Sequence, residues 1–456
     1  MWKSPACFAL LALIACAVSF SSPLKAAAAE ATTEESPGDS PRPYAEIDDD
    51  YVELIQMFAD ALDQVDRNYV EKLDRRKLIE AAIRGVVTEL DPHSTYIPQK
   101  ELARFKTNID QQFGGIGIQI DARDGKLIVS SPLVGGPAYD AGVGAGDQIL
   151  EIDGKSTKGM TLDKAIESLK GQEGEAVSLV IYHPAEFKTE TIELKREMIQ
   201  LQTVLGDQRL ENNDWDYIYD HDKKIAYVRI TIFSRNTAEE FSTVLKQLKE
   251  DGIRGLVVDL RSNPGGLLSA AIDIADRFID DGKIVSVEGR NTPKREWSAV
   301  ADTTLVDVPV AVLVDHFSAS ASEIVSACLQ DHDRAAVIGQ RTWGKGSVQN
   351  IINLEEGKSA MKLTTASYHR PSGKNIHRLP DAKDSDEWGV SPSPGMEVKM
   401  SQKQLAAFQN YRRGRDLATL VPHPPAPEQP LAEVDPVLAK GLEYVESKLA
   451  DPAAAP

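Results

Sequence analysis

At 456 residues, with 42% hydrophobic and 27% charged side chains, the chain has material for two or three domains, each with its own core. The formal net charge of −19 and the pI near 5.0 exclude nucleic-acid binding through a general positive field. Of the three cysteines, Cys7, Cys16 and Cys328, only the last lies beyond the N-terminal segment, so no intramolecular disulfide is expected once that segment is removed.

Residues 6–20 are almost wholly apolar and follow Lys3, a length short for a membrane span and right for a secretory h-region. The run Ala26-Ala27-Ala28-Ala29 offers small residues for cleavage near Ala28 or Ala29, which makes 1–29 a signal peptide and the protein an exported one, of periplasm or cell envelope. A second reading stays open. Leu13-Ile14-Ala15-Cys16 has the form of a lipoprotein signal, in which Cys16 carries a lipid anchor and ties the N-terminus to the membrane. Residues 30–50 form an acidic, Pro-rich linker. Residues 51–105 read as a helical segment. Leu54, Ile55, Phe58, Leu62 and Val65 make one amphipathic stripe, and a second helix from about Arg75 to Glu89 stops before Asp91-Pro92. His93, just past that stop, reads as a capping or packing group.

From 106 to 196 the texture changes to short strands and glycine turns, with one good helix over Thr161 to Leu169. Gly115-Ile116-Gly117-Ile118, Gly136-Pro137-Ala138 and Gly146-Asp147-Gln148-Ile149-Leu150-Glu151-Ile152-Asp153-Gly154 resemble a bacterial-type PDZ domain. The chemistry of the loop is legible by itself. Adjacent backbone N–H groups beside glycines form a nest for an anion, and the strand after them offers an edge to an extended peptide. Gly115, Ile116, Gly117 and Ile118 are therefore the expected peptide-binding residues, with the C-terminus of a polypeptide as ligand; a tight hairpin is the plainer alternative.

Residues 197–398 alternate strand and helix, which indicates an α/β core with a largely parallel sheet. Leu256 to Arg261 and Val308 to Asp315 read as strands buried on both faces. Beyond their carboxyl ends lie Asn263-Pro264-Gly265-Gly266 and His316 to Glu323, where such sheets carry functional loops. Residues 399–456 read as C-terminal helices, about Gln402 to Arg412 and Val434 to Ala450, around a Pro-rich spacer, His423 to Pro430. No metal-spaced His/Cys cluster stands out, and no cofactor is expected.

Ser318, Ser320 and Ser322 sit where a strand hands over to a helix, so one of them is expected to cap it. The same place puts a hydroxyl beside free backbone N–H groups. Lys345, Ser347 and Gln349 alternate on what reads as an extended segment, sharing a face. A desolvated lysine loses its proton more easily and can act as base toward a serine, the Ser–Lys form of nucleophilic catalysis. The bland reading of Lys345 is a surface lysine in a turn.

Phe317-Ser318-Ala319-Ser320-Ala321-Ser322-Glu323-Ile324, then Gly344-Lys345-Gly346-Ser347-Val348-Gln349, resemble the carboxyl-terminal processing (tail-specific) protease family. Asp259-Leu260-Arg261-Ser262-Asn263-Pro264-Gly265-Gly266 is similar to its oxyanion segment, and Asp91-Pro92-His93-Ser94-Thr95-Tyr96 to its segment before the PDZ domain. The resemblance covers roughly residues 51–398. It implies a multidomain α/β fold, an α/β protease core with a β-rich PDZ domain inserted after an N-terminal helical segment. It implies Ser320 as nucleophile, Lys345 as general base, Gln349 as the group that holds the base, and as oxyanion donors the N–H groups of Ala321 and of a glycine in Gly265-Gly266, Gly265 first. Trp343 departs from the aromatic usual there, and the segment Ser391 to Pro394 lacks an acidic residue common in the family. The implied partners are protein or peptide substrates with accessible C-termini; a homo-oligomer or an adaptor stays open. A catalytically silent PDZ scaffold is the alternative, and an acyl-thioester enzyme explains the glycine loop but not the PDZ module.

Overall fold

The computed structural model describes residues 49–301, 304, 307–416 and 431–450. The signal segment with Cys7 and Cys16, nearly all of the acidic linker and the Pro-rich spacer lie outside the described residues. The protein divides into two compact units. One takes Phe105–Ser347 and the described residues from Ala366 onward; the other takes the described residues up to Arg104 together with Val348–Thr365.

In the first unit, a PDZ-type sheet runs in the order Ile118–Arg123, Lys126–Pro132, Gln148–Ile152, Ala176–His183, Lys188–Lys195. Its strands alternate inward and outward, so Ile120, Leu127, Val129, Ile149, Leu179 and Ile181 fill one core, closed by Ala165 and Leu169 of the helix Leu162–Leu169. Thr161 caps that helix, its hydroxyl accepting Lys164 N–H (3.4 Å). The strand Ile118–Arg123 lies at the sheet's edge. Gly115 ends the strand before it, and Gly117 takes φ +72° at the corner, a conformation glycine enters without steric cost.

The same unit holds the α/β core. Strands Ile225–Ile230, Gly255–Asp259, Val310–Val314 and Ala335–Gly339 are parallel neighbours, with Val228, Val258, Val312 and Val337 in register across all four. The last three are buried at every position, as their unbroken apolar runs require. Helices Thr237–Glu250, Leu268–Ala275 and Ala321–Asp331 pack in succession, with Phe241 and Phe278 rings 5.9 Å apart. The opposite face is covered from far along the sequence. Val437, Leu438, Leu442 and Val445 of the helix Pro436–Ala450 join Tyr227, Val257, Ala311, Leu313 and Ile338 in one cluster. The sequence places the end of the core near Val398, but the sheet's second face is completed only by this C-terminal helix. Its approach is close enough that a Cβ on Gly255 would meet Val445 Cγ1 at 2.2 Å.

In the second unit, helices Asp49–Asn68 and Arg75–Thr88 precede the strand Thr95–Ile97. Asp74 caps the second helix through Arg76 N–H (3.0 Å), and Arg76 reaches Glu355 (2.9 Å). Thr95–Ile97 pairs antiparallel with Lys362, Met361 and Ala360. The first helix buries none of its residues.

Candidate active site

The loop after Gly255–Asp259 is built around Asn263, which is fully buried. Its Nδ2 donates to Ile230 O (2.7 Å) and its Oδ1 accepts Gly265 N–H (2.8 Å). Its carbonyl accepts Ala319 N–H (3.0 Å) and the Ser322 hydroxyl (3.0 Å). These bonds lay Gly265 on the serine turn. A Cβ there would fall 2.7 Å from Ser320 Cβ and 2.9 Å from Ala321 N, and φ is +97°, so only glycine fits.

The three serines divide their labour. Ser318 Oγ donates to Leu260 O (2.8 Å) and receives Asp315 N–H (2.9 Å), and the Ser322 hydroxyl is spent on Asn263. Both are structural ties between neighbouring loops. Ser320 occupies the N-cap of Ala321–Asp331 with φ 55° and ψ −114°, a strained conformation for a residue with a side chain, of the kind that persists only where surrounding structure imposes it. Ala321 begins the helix, so its N–H has no acceptor within the helix itself.

Glu323 imposes the turn. Fully buried, its carboxylate accepts Ser320 N–H (2.8 Å) and Lys345 N–H (2.8 Å) on Oε2, and Gly344 N–H (2.7 Å) and the Thr342 hydroxyl (2.5 Å) on Oε1. Burial pushes its carboxyl above the usual range, against the pull of the Thr342 hydroxyl and the three N–H groups. One side chain thus holds the backbones of Ser320 and Lys345 together.

Lys345 is half-buried and lies just ahead of the strand Ser347–Leu354, in irregular backbone, so the extended segment expected from the sequence starts two residues later. Its flanking glycines permit close approach of residues 375–378. A Cβ on Gly344 would meet Arg378 Cβ at 2.7 Å, and one on Gly346 would meet His377 N at 2.6 Å.

The profile described as peptidase family S41 matches residues 224–384, that of a PDZ domain residues 128–182, and that of the activating protease CtpB N-terminal domain residues 16–101. The carboxy-terminal processing protease CtpA of Bacillus subtilis is 36% identical over 365 residues, covering 76% of this chain and 75% of that protein. The chain belongs to peptidase family S41.

The carboxy-terminal-processing protease of Bartonella bacilliformis is likewise 36% identical, over 82% of this chain and 86% of that protein. Among solved structures, the photosystem II D1 C-terminal processing protease is 27% identical over 79% of this chain and 97% of that one, with a TM-score of 0.42. This S41 peptidase is a serine protease that carries a PDZ domain.

Of the residues singled out in the sequence, the fold gathers Ser320, Ala321 and Gly265 at one point and ties Lys345 to Ser320 through Glu323. The Gly265 N–H is not presented as an oxyanion donor in this conformation, because it is already given to Asn263 Oδ1. Gln349 belongs to the second unit, where it is buried and its Nε2 donates to Thr364 Oγ1 (3.2 Å). Thr364 N–H in turn donates to Ser94 Oγ (3.0 Å), and Ser94 Oγ to Asp91 (2.7 Å). The Asp91 to Ser94 segment therefore buttresses the strand carrying Thr364, and His93 contributes its backbone N–H to Asp91 (2.7 Å). His332 is the C-cap of Ala321–Asp331, as a helix-end residue should be. Cys328 is fully buried, and burial pushes its thiol up to about 12, which suits a structural group.

The S41 site has members that the sequence alone did not single out. Glu323 is visible there only as the fourth residue of the capping-box pattern Ser320-Ala321-Ser322-Glu323. Asn263 is visible there only as the first residue of the loop Asn263-Pro264-Gly265-Gly266, and Thr342 carries no local signal.

Proposed function

We propose that this S41 peptidase captures the C-terminal region of a poorly folded protein on its PDZ domain and cleaves the polypeptide through an acyl-enzyme on Ser320. Lys345 takes the Ser320 proton as the hydroxyl oxygen adds to a peptide carbonyl. The proton passes to the leaving amine as the C–N bond breaks. Water then adds to the acyl ester and releases Ser320. Ala321 N–H is the first oxyanion donor. Gly265 becomes the second when its bond to Asn263 Oδ1 is exchanged for one to the substrate oxygen.

The observation that carries this reading is the Glu323 clamp, which receives the backbone N–H groups of Ser320 and Lys345 on one oxygen. Substrate capture is supported by the exposed edge of Ile118–Arg123, which follows the Gly115 to Ile118 loop and lies beside the helix Leu162–Leu169. The two relatives at 36% identity carry the name carboxy-terminal processing protease, which fits this order of capture and cleavage.

The apolar N-terminal run supports export to the periplasm or cell envelope, with a lipid at Cys16 as the route to membrane association. The bare apolar face of Asp49–Asn68 supports a homo-oligomer over an adaptor. A fluorophosphonate probe tests the chemistry. It should label the wild type and leave Ser320→Ala unlabelled, and equal labelling overturns the assignment.

A further inference from the structure

Lys345 stands between Gly344 and Gly346, residues with the most backbone freedom to lose, so its place must be imposed by what packs on the turn. Glu323 supplies one side, accepting Gly344 N–H, Lys345 N–H and the Thr342 hydroxyl. A loop, residues 376–389, supplies the other. Its ends meet where Gly389 N–H donates to Ile376 O (2.8 Å). Within it, Arg378 N–H donates to Gly344 O (2.8 Å), one residue before the base. Directly after it, Val390 N–H donates to Thr342 Oγ1 (2.7 Å), and Val390 O accepts Thr342 N–H (3.1 Å). Residues 342–345 are thus gripped from both sides.

A loop of this length keeps one shape when its own side chains pack within it. Asp381, Lys383, Asp384, Asp386 and Glu387 are exposed and give it little to pack. Trp388 does that work. Its indole N–H donates to Lys383 O (3.0 Å). The Arg378 guanidinium lies over its ring at 4.4 Å from the centroid, and that of Arg341 at 4.6 Å. Arg341 in turn donates to Asp384 O (3.1 Å), Asp386 O (3.2 Å) and Ser391 Oγ (3.1 Å). The same ring rests on the lysine turn, since a Cβ on Gly344 would meet Trp388 Cε3 at 3.1 Å. One indole therefore joins the tip of the loop, both arginines and the residue before Lys345.

We propose that Trp388 is a positioning residue for the base. It stiffens the loop so that Arg378 N–H and the indole ring hold Gly344, and with it Lys345, in one place relative to Ser320. This rests on Lys345 serving as the base. Glu323 and the loop then do complementary work: the carboxylate fixes the N–H groups of the turn, and the loop fixes the Gly344 carbonyl and the Thr342 backbone. Without the ring, Arg378 loses the surface that aligns it, and the glycines on either side of Lys345 let the turn drift. Substrate capture on the PDZ domain does not involve this loop.

Steady-state cleavage of β-casein separates kcat from KM. For Trp388→Ala, kcat should fall at least about tenfold with KM within about twofold, because a misplacement of about 1 Å costs about a hundredfold in rate. Trp388→Phe keeps an aromatic face for the guanidiniums and for Gly344, and its kcat should return to within about threefold of wild type. A packing role with no link to the base would lower the unfolding temperature and leave the kcat of the folded variant untouched. Wild-type kcat in Trp388→Ala therefore overturns the proposal, as does a loss seen only in KM. A phenylalanine variant as slow as the alanine one overturns the ring as the cause.

Lys345→Ala in parallel keeps the two ideas apart. If it cleaves like wild type, the base assignment falls and this proposal with it. If it is inactive while Trp388→Ala cleaves normally, only the role of Trp388 falls. Should alanine unfold the protein, Trp388→Leu keeps apolar bulk and removes the aromatic face. Its kcat should then lie at least about tenfold below that of Trp388→Phe, and equal values overturn the proposal.

Discussion

Glu323 shows how much of a peptidase site can rest on a residue that never meets the substrate. Four donors converge on its two oxygens, and they come from Ser320, Thr342, Gly344 and Lys345. A carboxylate is acceptor-only and offers about four lone-pair sites, so the match is complete. In Glu323→Gln an NH2 group replaces one oxygen and faces two donors, and one side of the clamp opens. The expected outcome is a fall of about a hundredfold in kcat on β-casein with KM within about twofold, because the geometry of the reacting groups changes and the capture surface does not. Wild-type kcat would show that the clamp is not needed. The residue scale also marks what sequence can reveal about such a site. The approach of Ser320, Ala321 and Gly265 follows from loops at the carboxyl ends of neighbouring strands, a rule of parallel sheets. The ties from Glu323 to Thr342, Gly344 and Lys345 span turns whose path is set by tertiary packing, so no local pattern announces them.

At the scale of elements, the central strands are legible because burial on both faces demands unbroken apolar runs, and Val310–Val314 has nothing else. The helix Pro436–Ala450 is equally legible as a helix, but its partner is not, since an apolar stripe does not say which surface it covers. A buried ionic latch decides that. Arg261, at the end of Gly255–Asp259, pairs with Asp259 (2.6 Å) and with Asp435 (2.8 Å), and Asp435 caps the C-terminal helix through Leu438 N–H (3.0 Å). Tyr227 adds its hydroxyl to Asp259 (2.6 Å). Burial pushes the Asp259 carboxyl up, but the Arg261 guanidinium and the hydrogen bonds outweigh it and hold it below its ordinary value. A carboxyl with a depressed folded pKa contributes stability above its unfolded value, about 4, and that contribution is lost as pH falls through the folded value. The wild type should therefore resist chemical denaturation less below about pH 4. Asp259→Asn should be destabilised by about 3–5 kcal/mol at neutral pH, because Arg261 keeps its charge and loses a partner. It should also show a shallower acid limb. Equal acid limbs for the two proteins would assign acid lability to other carboxylates.

Among the described residues, the helix Asp49–Asn68 carries an apolar face that the fold leaves uncovered. Tyr51, Leu54, Ile55, Met57 and Phe58 of Asp49–Asn68 are all exposed, Met57 at 64% and Leu54 at 56%, and no residue of that helix is buried. Five large apolar side chains within about two turns form a contiguous patch of the kind that marks an interaction site. The period of the sequence reveals the stripe as a helix face; among the described residues nothing covers that face. A second copy is the economical occupant, because two such helices bury each other's stripes in a self-complementary contact. The helix is acidic, with Asp49, Asp50, Glu53, Asp60, Asp63 and Asp66 against Arg67, so pairing two copies brings like charges together. Screening relieves that repulsion, and salt should strengthen association while the apolar contact supplies its affinity. The mature protein should therefore elute with the mass of a dimer in light scattering after size exclusion, more fully at high salt than at low. Leu54→Glu combined with Phe58→Glu should give the monomer mass at both, while fluorophosphonate labelling of Ser320 persists. An unchanged mass for the double variant would remove this helix as the interface, and a monomeric wild type at high salt would leave its apolar face for a different protein.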